Sequence, residues 1–237
     1  MAKEIVLIRH GRDPADDRVS VWLQQHGVAA RTVCPFDGET IGDMTDDVAG
    51  TVVYGGKYNV YETDRGAFLL EEYCWIDACL NAGLPVLGLC QGAQQIAHHL
   101  GAWAGPPKRE RHEFGYYEIE PVSGSGDILP GPLTVTQAHF HTFDIPEGSA
   151  HLARSEAFEN QAFRMGDKVF GFQFHPEQTV EGFRRWQNAD WAAWGKPGVQ
   201  TRDEQNRLMA EHDETQARWF YSFLDRLFGH ISSKSNA

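Results

Sequence analysis

The chain has 237 residues, 41% of them hydrophobic and 23% charged, enough to bury one large core and ordinary for a globular α/β domain. Its 21 Lys+Arg against 33 Asp+Glu leave a net charge of −12, which argues against nucleic acid or an anionic membrane as partner. No run is long and apolar enough to span a bilayer, the N-terminus lacks the apolar core of a signal peptide, and Cys34, Cys74, Cys79 and Cys90 show no C-x-x-C or zinc spacing, so a reducing, cytoplasmic setting is expected.

Glu4–Ile8 reads as a first strand. Val19, Trp22, Leu23 and His26 then recur at helical spacing, and Gly27 supplies a stop. Arg31–Cys34 and Thr51–Tyr54 read as the second and third strands. Leu69, Tyr73, Ile76 and Leu80 form another helical stripe, closed by Gly83. Pro85–Leu89 is the next strand, and Ala93, Ile96, Ala97 and Leu100 line one face of the helix after it, ended by Gly101. Strands alternating with helices predict a doubly wound, mostly parallel α/β sheet.

Beyond Gly105 the texture becomes strand-rich. Gly115–Val122, Leu133–His139, Asn160–Met165 and Lys168–Phe174 read as strands, with Met165-Gly-Asp-Lys168 as a hairpin turn. From Val180 the chain turns helical and carries Trp186, Trp191, Trp194 and Trp219; Lys196-Pro-Gly198 separates one helix from the next. Ser232–Ala237 reads as a frayed tail. No linker composition divides the chain, so residues 1–237 are expected to form a single domain with a helical extension over 180–237.

Cys90 carries the strongest chemical signal. It ends the apolar run Pro85-Val-Leu-Gly-Leu and precedes a helix, with Gly88 and Gly92 two residues away on either side. That pattern predicts a nucleophile elbow, a tight strand-to-helix turn that needs small neighbours. The helix N-terminus favours a thiolate and offers N–H groups to an oxyanion. Gly171-Phe-Gln-Phe-His-Pro-Glu177 supplies a base and an orienting carboxylate. His175 is expected at a strand end, with Glu177 on the same side of an extended chain. Val52-Val-Tyr-Gly-Gly56 ends in two glycines that allow close backbone approach, so the N–H groups of Gly56 and Gln91 are the candidate oxyanion hole. Gln94, one helical turn past Cys90, is a candidate substrate contact.

Together these stretches resemble class I (triad-type) glutamine amidotransferases. Gly88-Leu-Cys-Gln-Gly-Ala-Gln94, Gly171-Phe-Gln-Phe-His-Pro-Glu177 and Gly55-Gly56 match the three signatures in order. Asn59-Val-Tyr-Glu-Thr-Asp64 and His139 through Glu147 are similar to the stand-alone, GMP-synthase-like branch that includes γ-glutamyl peptidases. The resemblance runs from about Thr51 to Gln178. It implies a flavodoxin-like sheet and a Cys90–His175–Glu177 triad that forms a γ-glutamyl thioester. It further implies that Gly55, Gln94 and the backbone near Ala138 and His139 hold the glutamine moiety. Two departures bear on substrate choice: His139-Phe-His141 stands where relatives often show His-Gly-Asp, and Lys57-Tyr58 follows the glycine pair.

Three functions remain open on this reading: an amidotransferase subunit whose ammonia acceptor lies on a separate synthetase chain, a self-sufficient γ-glutamyl hydrolase, and an inactive binding subunit. The substrate is a small molecule, glutamine or a γ-glutamyl compound. No cofactor is expected, and His139 with His141 lack the further ligands that a metal site needs. Asp16-Asp17 and Asp43–Asp47 read as solvated loop charge, and the C-terminal tryptophans as helix packing that can also cover the site.

Overall fold

Two apolar faces on the first strand dictate the architecture. In β1 (Glu4–Ile8), Ile5 and Leu7 point to one core while Val6 and Ile8 point to another. A strand buried on both faces belongs in the middle of a sheet covered on both sides. The computed structural model, which describes residues 3–64 and 66–231, has that form; the tail from Ser232 lies outside the described residues.

The first half is βα-alternating. After β1 come α1 (Arg18–His26), β2 (Ala29–Val33), β3 (Val48–Val53), α2 (Ala67–Asn81), β4 (Val86–Leu89) and α3 (Gln91–His99). The second half is β5 (Ala104–Gly105), β6 (Glu113–Pro121), β7 (Leu133–His139), β8 (Thr142–Phe143), β9 (Ala150–Ser155), β10 (Ala162–Met165) and β11 (Val169–Phe172). Helices α4 (Val180–Gln187) and α5 (Arg202–Phe228) close the chain.

Nine strands form one sheet in the order β2-β1-β3-β4-β11-β10-β9-β6-β7. The first five pair in parallel and the last four antiparallel. β5 and β8 make a separate two-stranded pair. Strand order reverses between β1 and β3, the switch point where open α/β sheets place ligands beyond the carboxyl ends of their strands. Trp22 of α1 and Phe220, Phe223, Leu224 and Phe228 of α5 pack on one face. Trp75 and Ile76 of α2 and Ala93, Ile96 and Ala97 of α3 pack on the other. No described helix is long and apolar enough to cross a membrane.

Several expectations shift, among them the third strand, which runs over Val48–Val53 where Thr51–Tyr54 was expected. The second strand begins at Ala29, two residues before the predicted Arg31; it is an exposed edge strand, where apolar periodicity is weak. The strand β9 was not legible, because Ala-His-Leu-Ala-Arg-Ser has low β-propensity and only partial alternation. It nevertheless joins β10 to β6 and so completes the antiparallel flank.

Candidate active site

Strand β4 leads directly into Cys90, whose backbone sits at φ 50, ψ −106. It is the sole non-glycine at positive φ among the described residues. Such a conformation costs about 1–3 kcal/mol and persists because its surroundings enforce it. A Cβ on Gly88 would lie 2.6 Å from the backbone of Gly92, and one on Gly92 would lie 2.0 Å from the Val53 carbonyl oxygen. The elbow therefore demands both glycines for close approach. Gln91 opens α3, so its N–H has no partner one turn back in the helix. Cys79, by contrast, is fully buried beneath the sheet, and desolvation pushes its thiol up to about 12.

His175 does not sit at a strand end. β11 stops at Phe172, and the following residues run on as loop, pinned by Gln173 N–H to Gln161 O at 2.8 Å and His175 N–H to Thr136 O at 2.8 Å. His-Pro-Glu is a turn rather than the expected extended segment: Gln178 N–H donates to His175 O at 3.2 Å, with Pro176 at the position where turns favour it. The expected contact forms by this other route, His175 Nδ1 lying 2.7 Å from Glu177 Oε1. Arg18 anchors the turn. Its guanidinium donates to Pro176 O at 3.0 Å and to Gln178 O, and grips both oxygens of Asp213 in α5 at 2.8 and 2.7 Å.

The His175 and Glu177 side chains are both buried. Burial by itself lowers the His175 pKa, but Glu177, a charged Cys90 and hydrogen bonds to both overcome it and raise the ring to about 10. The protonated ring is thus the favoured form at neutral pH. Gln173 Nε2 lies 3.5 Å from Cys90 Sγ, and Gln94 Nε2 donates to Gln173 Oε1 at 3.0 Å. Gln94, expected at the substrate, is buried, with its side-chain amide turned to Gln173. The helical phase of α3 turns it toward the loop after β11. Gln173 was missed, although a polar residue two positions before His175 in an apolar run was a signal for it.

The glycine pair lies against the same centre. A Cβ on Gly55 would stand 2.6 Å from His175 Cε1 and 3.3 Å from Cys90 Cβ, and one on Gly56 would stand 2.5 Å from His10 Cβ. Two contacts hold this loop. Tyr58 N–H donates to the Gln91 side-chain oxygen at 2.8 Å, and His10 Nδ1 lies 3.0 Å from Tyr54 O. His10 Nε2 in turn meets both oxygens of buried Glu72, at 3.1 and 3.0 Å. Glu72 also accepts from Gln95 of α3 at 2.5 Å. No sequence motif pointed to this His10–Glu72 pair, whose members are 62 residues apart.

One cavity of about 410 Å³ brings together Cys90, His175, Glu177, Gly55, Gly56, Ala138 and His139. His139 itself is engaged, its Nε2 3.0 Å from buried Glu113 and its Nδ1 2.9 Å from His141 O. His141 turns away and stacks beside Tyr61 at 6.3 Å. No group of three or more metal-ligating side chains occurs among the described residues. Asp17 is not solvated loop charge. It is buried, caps α1 through Val19 and Ser20 N–H groups at 3.1 Å, and accepts from Arg9 and from Tyr54 Oη. Asp16 lines the cavity and pairs with Arg185 at 2.6 Å. Trp186 and Trp191 complete the wall.

This geometry has relatives. A glutamine amidotransferase from Thermotoga maritima superposes with a TM-score of 0.83 at 26% identity, covering 96% of this chain and 98% of that one. A glutamine amido transferase from Methylobacillus flagellatus shares the fold with a TM-score of 0.84 at 21% identity, covering 96% and 94%. In sequence, the chain is 32% identical over 157 residues to the glutamine-hydrolyzing GMP synthase of Campylobacter jejuni subsp. jejuni, covering 65% of this chain. It is 33% identical over 135 residues to that of Porphyromonas gingivalis, covering 55% of this chain. The match spans only 29% and 25% of the lengths of those two synthases. The family model for glutamine amidotransferase class-I matches residues 22–185, a stretch that holds the elbow, the glycine pair and the His-Pro-Glu turn. The chain belongs to the class I glutamine amidotransferase family.

Proposed function

We propose that the protein hydrolyses the γ-amide of glutamine through an acyl-enzyme on Cys90. The observation that carries this reading is the buried contact of His175 Nδ1 with Glu177 at 2.7 Å, beside a thiol held on a strained elbow at the cavity wall. The Cys90 thiolate attacks the γ-carbonyl carbon, and the N–H groups of Gly56 and Gln91 stabilise the oxygen as it gains charge. The C–N bond breaks as His175 passes its proton to the leaving nitrogen, which departs as ammonia. Water, losing a proton to the neutral ring, then cleaves the thioester, and glutamate leaves. Glu177 holds the ring's orientation throughout. Gly55 and the backbone at Ala138 and His139 grip the glutamyl end. The names of the GMP synthase relatives support delivery of the ammonia to a synthetase acting on a separate substrate.

A second reading draws on the aromatic wall formed by Trp186 and Trp191. Ammonia needs no such surface, whereas a γ-glutamyl peptide or amide does, so hydrolysis of γ-glutamyl compounds without a partner is the alternative. Glutamate release by the purified chain, with Cys90→Ala as control, tests both. Glutamine as the preferred substrate supports the amidotransferase. A strong preference for γ-glutamyl compounds supports the hydrolase. A wild-type rate no higher than that of Cys90→Ala on every substrate refutes both.

A further inference from the structure

We propose that the leaving-group side of the cavity is an aromatic subsite, which selects γ-glutamyl amides whose nitrogen carries an aromatic or large apolar group. This inference rests on the acyl transfer proposed above. When Cys90 Sγ bonds to the γ-carbon and the C–N bond breaks, the electron pair stays on nitrogen and the His175 proton goes to it. His175 Nδ1 is occupied by Glu177, so the proton comes from Nε2. The departing nitrogen must therefore lie within hydrogen-bond reach of that atom.

Whatever the nitrogen carries then meets the surface next to His175, and that surface is tryptophan. Trp186 stands edge-on to the His175 ring, with centroids 4.7 Å apart and planes at 81°. Trp191 packs on Trp186 at 5.6 Å and against Phe114 at 6.0 Å, yet keeps 57% of its surface exposed. Phe140 lines the same cavity and is 46% exposed. A large ring exposed in a catalytic cavity gains most from a ligand that covers it. Glutamine, whose leaving group is bare ammonia, covers none of this surface. The cavity volume of about 410 Å³ falls in the range of sites that enclose larger organic ligands. Trp186 belongs to α4 and Trp191 to the loop that follows it, so the subsite is built by the C-terminal segment rather than by the elbow, glycine or His-Pro-Glu stretches.

The test compares kcat/KM for glutamate release from glutamine, γ-glutamylalanine and γ-glutamylphenylalanine. The two peptides carry the same charges and differ by a phenyl ring. The wild-type protein should prefer the phenylalanine peptide over the alanine peptide by roughly tenfold, as one aromatic contact with its buried area supplies. Trp191→Ala should bring that ratio close to one, and Trp191→Phe should keep most of it. Trp191 is half exposed, so neither change threatens folding, which circular dichroism verifies. A ratio near one in the wild type, or a ratio unchanged in Trp191→Ala, overturns the aromatic subsite while leaving the acyl-transfer reading intact. No Cys90-dependent release from any of the three compounds overturns the acyl-transfer reading, and the subsite with it.

Discussion

Replacing Glu177 by Gln removes a charge while keeping the side chain's shape. The two groups are buried and 2.7 Å apart, so solvent screens little of the loss. His175 is held at about 10 against an ordinary 6.5. At about 1.36 kcal/mol per unit, that rise corresponds to about 5 kcal/mol of preference for the charged ring, won against burial. The Glu177 charge is the largest of the causes that raise the ring's pKa, ahead of the charge at Cys90. Removing one adjacent carboxylate charge should lower the His175 pKa by about 1–3 units. The amide can also present its NH₂ to Nδ1 and stabilise the wrong tautomer, and the corresponding change in a serine protease triad lowers kcat by about 10⁴. We expect kcat/KM for glutamate release to fall by about 10²–10⁴ in Glu177→Gln. The His175 ring, followed by NMR, should titrate well below the wild type. The sign is fixed by the raised pKa: the proton on His175 contributes its stability in full below about pH 6.5 and loses it as pH rises through about 10. A variant whose ring titrates as in the wild type, or whose activity stays within about threefold of it, refutes this account of the pair.

Three further outcomes follow from the packing. Cys90→Gly should be more stable than Cys90→Ala by about 1 kcal/mol in urea unfolding, reversing the usual order, because the backbone at φ 50 strains any residue with a Cβ. Gly92→Ala should lose about 3 kcal/mol or fail to fold, since its methyl would meet the Val53 carbonyl oxygen at 2.0 Å, whereas Gly131→Ala, with nothing within 4 Å, should stay within about 0.5 kcal/mol in the same assay. Glu72→Ala should lower the thermal midpoint and cost about 3 kcal/mol, because it strands the buried His10 and Gln95 side chains; Glu72→Gln should recover part of that loss.

The alternation of strand-sized apolar runs with helical stripes, and the glycines around Cys90, were enough to predict a parallel sheet with an elbow. Both are local rules: the period of a strand or helix and the room a tight turn needs. His175 and Glu177 were readable because they are two residues apart, and even there the sequence suggested an extended chain where Pro176 makes a turn. Contacts between distant segments could not be read. The buried pair of His10 and Glu72, the grip of Arg18 on Asp213 and on the turn at Pro176, and the burial of Asp17 all join residues that no periodicity links. The same holds for Gln94, whose direction is decided by Gln173 rather than by its distance from Cys90. Sequence by itself determined where the elbow, the glycine pair and the His-Pro-Glu stretch lie, because each is set by local backbone needs. Tertiary structure alone decided what surrounds them. Burial, charge pairing and the tryptophans at the cavity wall arise only when α4, α5 and the strand ends are folded against one another.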